Sequence, residues 1–176
     1  MRRAVAAVLA AGLCLLGWSG SAHADDEIGI LLGYGYVKQS RMSFDSEGHL
    51  LSIGVHSPGS MLEDGMFASV TVDFVVDHEY TDLTQLALTM EGAYAWGGDV
   101  FAGYGGFAMR CGVDGYPDSS WSPLDPGVVV GFIVMLGPIG VGAEFRGWLG
   151  WNVYQDLTNR IEPYFDARAY VSMMLF

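Results

Sequence analysis

Two short runs of alternating charge near the end of the chain contain the residues best suited to ion chemistry. Glu144 and Arg146 are two residues apart, as are Asp166 and Arg168. In a β-strand this spacing puts both side chains on one face. An antiparallel hairpin centred on Asp156 sets Glu144 opposite Arg168 and Arg146 opposite Asp166. The pattern predicts two facing ion pairs, which either fill an interior or, if they exchange partners, gate a path for water or ions.

The other face of the same hairpin is apolar. The register that pairs the charges also sets three apolar pairs opposite each other, namely Val141 with Val171, Ala143 with Ala169 and Phe145 with Ala167. A one-residue shift would exchange the two faces, so the charge pattern and the apolar pattern support one register. The hairpin is therefore predicted to present charge to one side and hydrocarbon to the other.

Period-two runs that could carry such faces recur along the whole chain after residue 24. Half of all residues are hydrophobic, yet no apolar stretch after residue 24 reaches the roughly 20 residues of a membrane helix. We predict eight strands, at 27–38, 48–57, 67–78, 85–96, 99–111, 127–137, 139–153 and 162–176. The predicted fold is all-β, an eight-stranded antiparallel up-and-down transmembrane β-barrel.

The predicted connections alternate in length. Gly97-Gly98 and Gly137-Pro138 give tight turns on one rim, although the connection at 58–66 is longer than that pattern prefers. The other rim is predicted to carry longer loops at 39–47, 79–84, 112–126 and 154–161. Short turns on the inner rim and longer loops on the outer rim are typical of small outer-membrane barrels.

The same alternation predicts which charges face the lumen. A hairpin folded about Gly97-Gly98 sets Gln85 opposite Arg110 and Glu91 opposite Tyr104 on the inner face. The predicted lumen charge network is Asp73, Asp77, Glu91, Arg110, Glu144, Arg146, Asp166 and Arg168. These charges should pair, because an unpaired desolvated charge costs several kcal/mol.

Aromatic residues are predicted to form two girdles near the ends of the strands. If odd-numbered strands run toward the outer rim, the outer girdle contains Tyr34, Tyr36, Tyr80, Trp151, Tyr154 and Phe165. The inner girdle contains Phe67, Tyr94, Trp96, Phe101 and Phe176. Tyr and Trp favour both membrane interfaces, although ordinary sheet aromatics near strand ends would give a similar pattern.

The first residues have the pattern of a secretory signal. Arg2 and Arg3 precede an apolar stretch at 4–17, and Ala22-His23-Ala24 offers a cleavage site. We therefore expect residues 1–24 to be a signal peptide and residues 25–176 an exported barrel. Six basic and 20 acidic residues remain after cleavage, a formal charge of −14. With Lys38 as its single lysine, such a chain is not expected to bind nucleic acid.

Catalytic and metal-binding signals are weak. An outer-membrane lipid-modifying hydrolase or acyltransferase needs a serine with a positioned histidine and acid. His78 follows Asp77, but alternation sends the two side chains to opposite faces. His49 and His56 lack a second ligand at metal spacing, so each is interpreted as interfacial or solvated. We predict no enzyme activity, no metal and no cofactor, with the lipid-modifying enzyme as a minor alternative.

The signal peptide, strand count, polar interior and terminal Phe176 resemble the small outer-membrane barrels of the OmpX and OmpA-transmembrane type. The resemblance covers the mature chain and is architectural. It implies contact with outer-membrane lipid and lipopolysaccharide, recognition by the barrel-insertion machinery, and residence in the outer membrane. Ser172 and Arg168 depart from the apolar alternation that this family shows before its final aromatic residue.

Two functional hypotheses follow. The first is a non-enzymatic outer-membrane barrel with an envelope-structural or surface-interaction role, and a minor solute channel as a variant. A surface ligand could bind the predicted loop at 112–126, with its acidic and aromatic residues, or that loop could be a plain soluble turn region. The second is a soluble periplasmic lipocalin-like barrel enclosing a lipid, because Leu31, Val129, Ile133 and Met135 would face inward.

Overall fold

Eight strands make up the described part of this computed structural model, which covers residues 28–41, 44–57, 65–77, 83–98, 100–114, 120–154 and 159–175. The predicted signal peptide and Phe176 lie outside these residues. The strands are β1 (Ile28–Arg41), β2 (Phe44–Ser57), β3 (Met66–Asp77), β4 (Leu83–Gly97), β5 (Phe101–Asp114), β6 (Ser120–Leu136), β7 (Ile139–Tyr154) and β8 (Asn159–Leu175).

The strands close into a single barrel. Each strand pairs antiparallel with the next, and β1 pairs with β8. No helix long and apolar enough to cross a bilayer occurs among the described residues. The predicted all-β, eight-stranded, up-and-down barrel is thus confirmed. The rim that contains connections 42–43, 78–82, 115–119 and 155–158 is called the outer rim below, following the predicted orientation.

Strict alternation makes the cylinder apolar outside and polar inside. From Ile161 to Leu175, every odd-numbered side chain of β8 is exposed and every even-numbered one is buried. Ile161 and Met173 are 74% and 59% exposed, whereas Asp166 is fully buried. Large exposed apolar side chains occur in the same way on all eight strands. Much of the hydrophobic composition therefore lies on the outside of the barrel.

The β7–β8 register is the predicted one. Glu144 lies opposite Arg168, Arg146 opposite Asp166, and the three apolar pairs face outward as expected. Two independent patterns, charge and hydrocarbon, specify this hairpin, and a shifted register would bury hydrocarbon against charge.

The β4–β5 register predicted from the sequence is wrong by four residues. Gln85 lies opposite Asp114 rather than Arg110, and Glu91 lies opposite Ala108 rather than Tyr104. The connection is longer than a two-glycine turn, because Gly97 at φ 145° lies opposite Ala102. A shift by an even number keeps every side chain on its face. The predicted division into inner and outer residues therefore survives the register error.

Several predicted outer loops are strand instead. β1 and β2 pair as far as Arg41 and Phe44, so most of 39–47 belongs to the sheet. β6 begins at Ser120, so 120–126 and 112–114 are strand residues, and the loop prediction for 112–126 is wrong outside 115–119. The prediction assigned polar stretches to loops. In this barrel, however, polar residues also lie on the buried inner face of the strands.

Several aromatic side chains near the strand ends lie on the outer surface, and the girdles themselves stay a prediction. Side chains exposed on the outer surface are those of Tyr34, Tyr36, Tyr94, Trp96, Phe101, Trp151 and Phe165. Phe67 was predicted for the inner girdle, and this is wrong, because it is 1% exposed and faces the lumen. Its even-numbered neighbours on β3 take the outward face instead. Tyr80 lies outside the described residues, and the side chain of Tyr154 is not described.

Candidate functional site: the charged lumen

Seven of the eight predicted network residues have their side chains inside the barrel. They come from five strands and are each at most 5% exposed: Asp73, Glu91, Arg110, Glu144, Arg146, Asp166 and Arg168. Asp77 ends β3, and its side chain is not described. Strand alternation carries all seven inward, so closure of the barrel brings together charges that are as many as 95 residues apart in sequence, Asp73 and Arg168.

Arg146 contacts four carboxylates at the centre of the lumen. Its Nε lies 2.6 Å from Asp166 Oδ1 and 3.6 Å from Glu144 Oε1. Its terminal nitrogen Nη1 lies 3.1 Å from Glu91 Oε1 and 3.3 Å from Asp73 Oδ2. One guanidinium on β7 thus connects acids on β3, β4, β7 and β8, and such forked charge-assisted contacts are the strongest kind of polar contact.

Arg168 contacts three of the same carboxylates from the neighbouring strand. Its Nε lies 2.7 Å from Glu144 Oε1, and Nη1 and Nη2 lie 3.5 Å from Asp73 Oδ1 and 3.3 Å from Glu91 Oε1. The two arginines therefore share Asp73, Glu91 and Glu144. Sharing gives each of these three carboxylates two cationic neighbours, which helps to offset the cost of its desolvation.

Hydroxyl groups complete the shell around two of the acids. Ser52 and Thr89 donate to Asp73 at 2.6 and 2.7 Å, and Ser69 donates to Glu91 at 2.7 Å. The sequence prediction missed Ser52 and Thr89. The sequence could have indicated both residues, because each lies at an inward position of an alternating strand.

Two tyrosines cross the lumen below the arginines. Tyr104 donates to Glu144 Oε2 at 2.8 Å, and its hydroxyl oxygen lies 3.1 Å from that of Tyr170. Glycines make room for both rings, since a Cβ at Gly142 would lie 2.4 Å from Tyr170 and one at Gly131 would lie 2.5 Å from Tyr104. Each tyrosine ring thus occupies the space that a side chain at its facing glycine would need.

A second polar layer lies toward the outer rim. Arg110 donates to Gln85 and packs against the rings of Trp148 and Tyr164, with its Cζ 5.9 and 5.6 Å from the ring centres. Tyr164 donates to Asp125 at 2.7 Å. Asp125 was predicted in a surface loop, but it is 2% exposed and accepts this bond inside the barrel.

The inner end of the lumen is mainly apolar. The described side chains that pack there include Leu31, Phe67, Val129 and Ile133. His56 joins them at 2% exposure, with its ring centre 5.8 Å from that of Phe67. The interpretation of His56 as interfacial or solvated is therefore wrong, because β2 turns this residue inward. His49 lies on the outer face, where its Nδ1 is 2.7 Å from the Tyr34 hydroxyl.

Side chains thus fill the described lumen in three layers. The central layer sets Arg146 and Arg168 against four carboxylates, Asp73, Glu91, Glu144 and Asp166, and Arg110 of the second polar layer lies 3.7 Å from Asp166. No group of three His, Cys, Asp or Glu residues that could hold a metal ion occurs among the described residues. His78 lies outside them. Chemically, the arrangement is a dense ion-pair network in which three arginines face four carboxylates.

Comparison with known proteins supports the fold. The crystal structure of Neisserial surface protein A aligns with a TM-score of 0.63 over 83% of this chain and 96% of that chain, at 14% identity. The fold is that of an eight-stranded outer-membrane barrel. An outer membrane channel from Pseudomonas putida F1 gives a TM-score of 0.33 at 9% identity, covering 88% of this chain and 97% of that chain, which is too low to support an argument. No protein family and no curated protein matches the chain.

Proposed function

We propose that this protein is an integral barrel of the outer membrane with an envelope-structural or surface-interaction role, without enzyme activity and closed to solutes. The observation that carries the proposal is the central layer of the lumen. Arg146 and Arg168 lie there within 4 Å of four carboxylates, all almost fully buried. Such a network fills the central layer of the lumen and obstructs its axis.

The outer surface supports a membrane location. Exposed Phe107, Ile161 and Leu136, at 77%, 74% and 62%, belong to an apolar surface that runs around the barrel. Monomeric soluble proteins rarely expose contiguous apolar patches larger than a few hundred Å². A lipocalin-like protein would need the opposite arrangement, with polar groups outside and room for a lipid inside. The charged and tyrosine-filled centre leaves the lipocalin-like alternative without support.

Closure of the lumen weighs against the channel variant. A path along the axis would have to pass between the guanidinium groups of Arg146 and Arg168 and the carboxylates that they share. Breaking one such buried pair leaves an uncompensated charge and costs about 3–5 kcal/mol. We therefore infer that the resting barrel does not conduct ions.

Two measurements test the proposal. The processed chain should be recovered in the sarkosyl-insoluble outer-membrane fraction and migrate faster on gels before boiling than after. In planar bilayers it should give no discrete conductance steps under conditions in which a known open porin does. Recovery as a soluble monomer would overturn the location, whereas steady conductance would overturn the closed lumen.

The role itself is tested in cells. Deleting the gene should make the envelope more sensitive to detergent or weaken surface adhesion, and the wild-type gene should restore the phenotype. A variant carrying Arg146→Met changes only the interior of the barrel. If it is inserted at normal abundance and restores the phenotype, the role depends on the barrel surface and not on its interior. Unchanged detergent sensitivity and unchanged adhesion after deletion would contradict the proposed role. Binding of a surface ligand by residues 112–126 stays a prediction. Asp125 is no longer part of it, because its side chain is buried inside the barrel.

A further inference from the structure

We propose that the inner end of the lumen binds one soft, monovalent metal ion, Cu(I). Its ligands are the imidazole of His56 and the thioether of Met174, with the thioether of Met135 as a third. Such a site goes beyond the proposed envelope role and does not depend on it.

His56 is a buried imidazole without a hydrogen bond. It is 2% exposed, and neither ring nitrogen has a partner among the described residues. Ser69, which lies opposite it on β3, turns its hydroxyl to Glu91 instead. Leaving a buried polar group unbonded is unfavourable, and a metal ion that accepts the lone pair of one ring nitrogen offsets that penalty.

The strand register brings Met174 beside this ring. His56 on β2 lies opposite Gly29 on β1, and Gly29 lies opposite Met174 on β8. All three residues face inward, and Met174 is 5% exposed. A Cβ at Gly29 would lie 2.5 Å from His56 Nε2, so the ring occupies the space over the glycine. His56 Nε2 is therefore on the side of the ring that faces β8 and Met174.

A second thioether approaches from β6. Ser172, the inward residue next to Met174 on β8, lies opposite Gly140 on β7. A Cβ at Gly140 would lie 3.1 Å from Met135 Sδ and would also collide with Ser172 Oγ. The sulfur of Met135 thus lies over one glycine, as the imidazole of His56 lies over the other. Met174 is on the strand between these two glycines.

The donor atoms select a soft metal. Thioether sulfur favours Cu(I), whereas Mg²⁺ and Ca²⁺ need several oxygen ligands. Structural zinc sites use cysteine, histidine and carboxylate, and the described residues include no group of three such ligands. One imidazole with one or two thioethers therefore matches Cu(I) among the common metal ions.

The charges of the neighbouring central layer favour a bound cation. Three arginines face four carboxylates in the lumen, so negative charge is in excess. One of these carboxylates, that of Glu91, accepts the hydrogen bond of Ser69 beside His56. A monovalent ion held by a neutral imidazole and neutral thioethers adds positive charge next to this excess, where opposite charges attract strongly.

The site is close to the inner rim. His56 and Met174 are the last residues but one of β2 and β8, and Gly29 is the second residue of β1. An ion that arrives from the inner side therefore reaches them without passing the central layer. The site is compatible with a lumen that is closed to solutes.

Copper binding by the folded barrel tests the site. The full processed chain, folded in detergent, carries Cys111→Ser to remove a competing thiol. Cu(I) is supplied as its complex with a chromophoric chelator under reducing conditions, and the loss of colour measures transfer to the protein. His56→Phe and Met174→Leu each remove one ligand with little change in volume. Met173→Leu is the matched control, because Met173 is 59% exposed on the outer surface.

The Cys111→Ser protein and its Met173→Leu variant should bind one Cu(I) per barrel with equal affinity. His56→Phe and Met174→Leu should each weaken binding by at least about tenfold, since losing even a partner of a ligand costs about 10- to 100-fold. X-ray absorption at the copper edge should show nitrogen and sulfur ligands together, with less sulfur in Met174→Leu. Gel mobility before boiling verifies folding, and Met174→Leu keeps the test decisive if His56→Phe does not fold.

Three results would overturn the site. They are Cu(I) binding no tighter than that of His56→Phe, equal losses in Met173→Leu and Met174→Leu, or tighter binding of Zn²⁺ than of Cu(I). Because the barrel is folded in detergent, these results leave the proposed outer-membrane location untouched. Recovery of the chain outside the membrane fraction would contradict that location and not the copper site.

Discussion

Arg146 and Asp166 face each other across β7 and β8, with Nε 2.6 Å from Oδ1, and Trp148 Nε1 donates to the other oxygen of Asp166 at 2.8 Å. The guanidinium carbon of Arg146 also lies 5.6 Å from the centre of the Trp148 ring. Each group therefore stabilises the other two, and removing the cation leaves a buried carboxylate with fewer partners.

Replacing Arg146 by Met should lower the free energy of unfolding by about 3–5 kcal/mol, because four carboxylates lose a shared cation while staying buried. Urea unfolding in lipid vesicles, followed by tryptophan fluorescence, measures the change. Arg146→Lys keeps the charge but not the forked geometry, so its loss should be smaller. A loss below about 1 kcal/mol for Arg146→Met would contradict the network's importance.

Adding one methyl group at Gly142 should destabilise the barrel. Its Cβ would lie 2.4 Å from Tyr170 Cζ and 2.5 Å from the Phe132 carbonyl oxygen, and overpacking of this kind costs about 1–3 kcal/mol. Gly92→Ala is the control, since nothing lies within 4 Å of a Cβ there. Gly92→Ala should be neutral or stabilise by about 0.5–1 kcal/mol. Equal effects in the two variants would show that the Tyr170 ring yields easily.

Shortening Arg168 should open the lumen. Arg168→Ala removes the guanidinium shared by Asp73, Glu91 and Glu144, which leaves space and an excess of carboxylates. Small conductance steps with a preference for cations should then appear in planar bilayers. Phe107→Ala, on the lipid side, should stay as silent as the wild type. Anion selectivity would contradict the charge assignment, and silence in Arg168→Ala would show that other side chains close the axis.

His56→Phe should fold with unchanged or increased stability. Neither ring nitrogen of His56 has a hydrogen-bond partner among the described residues, and the ring packs beside Phe67. A buried polar group without partners costs about 1–3 kcal/mol, so an apolar ring of similar shape removes a penalty. Urea unfolding in vesicles measures the difference. A loss above about 1 kcal/mol would show that the imidazole has a polar role that an apolar ring cannot replace.

The sequence predicted the faces of the barrel better than its registers. Glu144, Arg146, Asp166 and Arg168 specified β7–β8 fully, because charge on one face and hydrocarbon on the other allow one pairing. At β4–β5, Gly97-Gly98 resembled a tight turn, and no charge pair was available to reject the wrong register. Since the error was even, Glu91 and Arg110 were still placed inside.

Contacts across the lumen could not be predicted from local sequence patterns. Hairpin pairing links neighbours in sequence, whereas the contact of Arg146 with Asp73 depends on the diameter of the closed barrel and on side-chain length. Asp125 and His56 were misplaced for a related reason. Polarity was interpreted as exposure, although a barrel that is apolar outside can bury polar residues inside.

The division of charge between the two halves of the chain has a consequence for assembly. Asp73 and Glu91 come from β3 and β4, but the arginines that neutralise them come from β7 and β8. In a half-formed sheet these acids therefore lack counterions. Their ion pairs form only when the β7–β8 hairpin is in place and β8 pairs with β1. We therefore expect insertion to be all-or-none, because a partly closed barrel keeps unpaired acids until the last strand closes it.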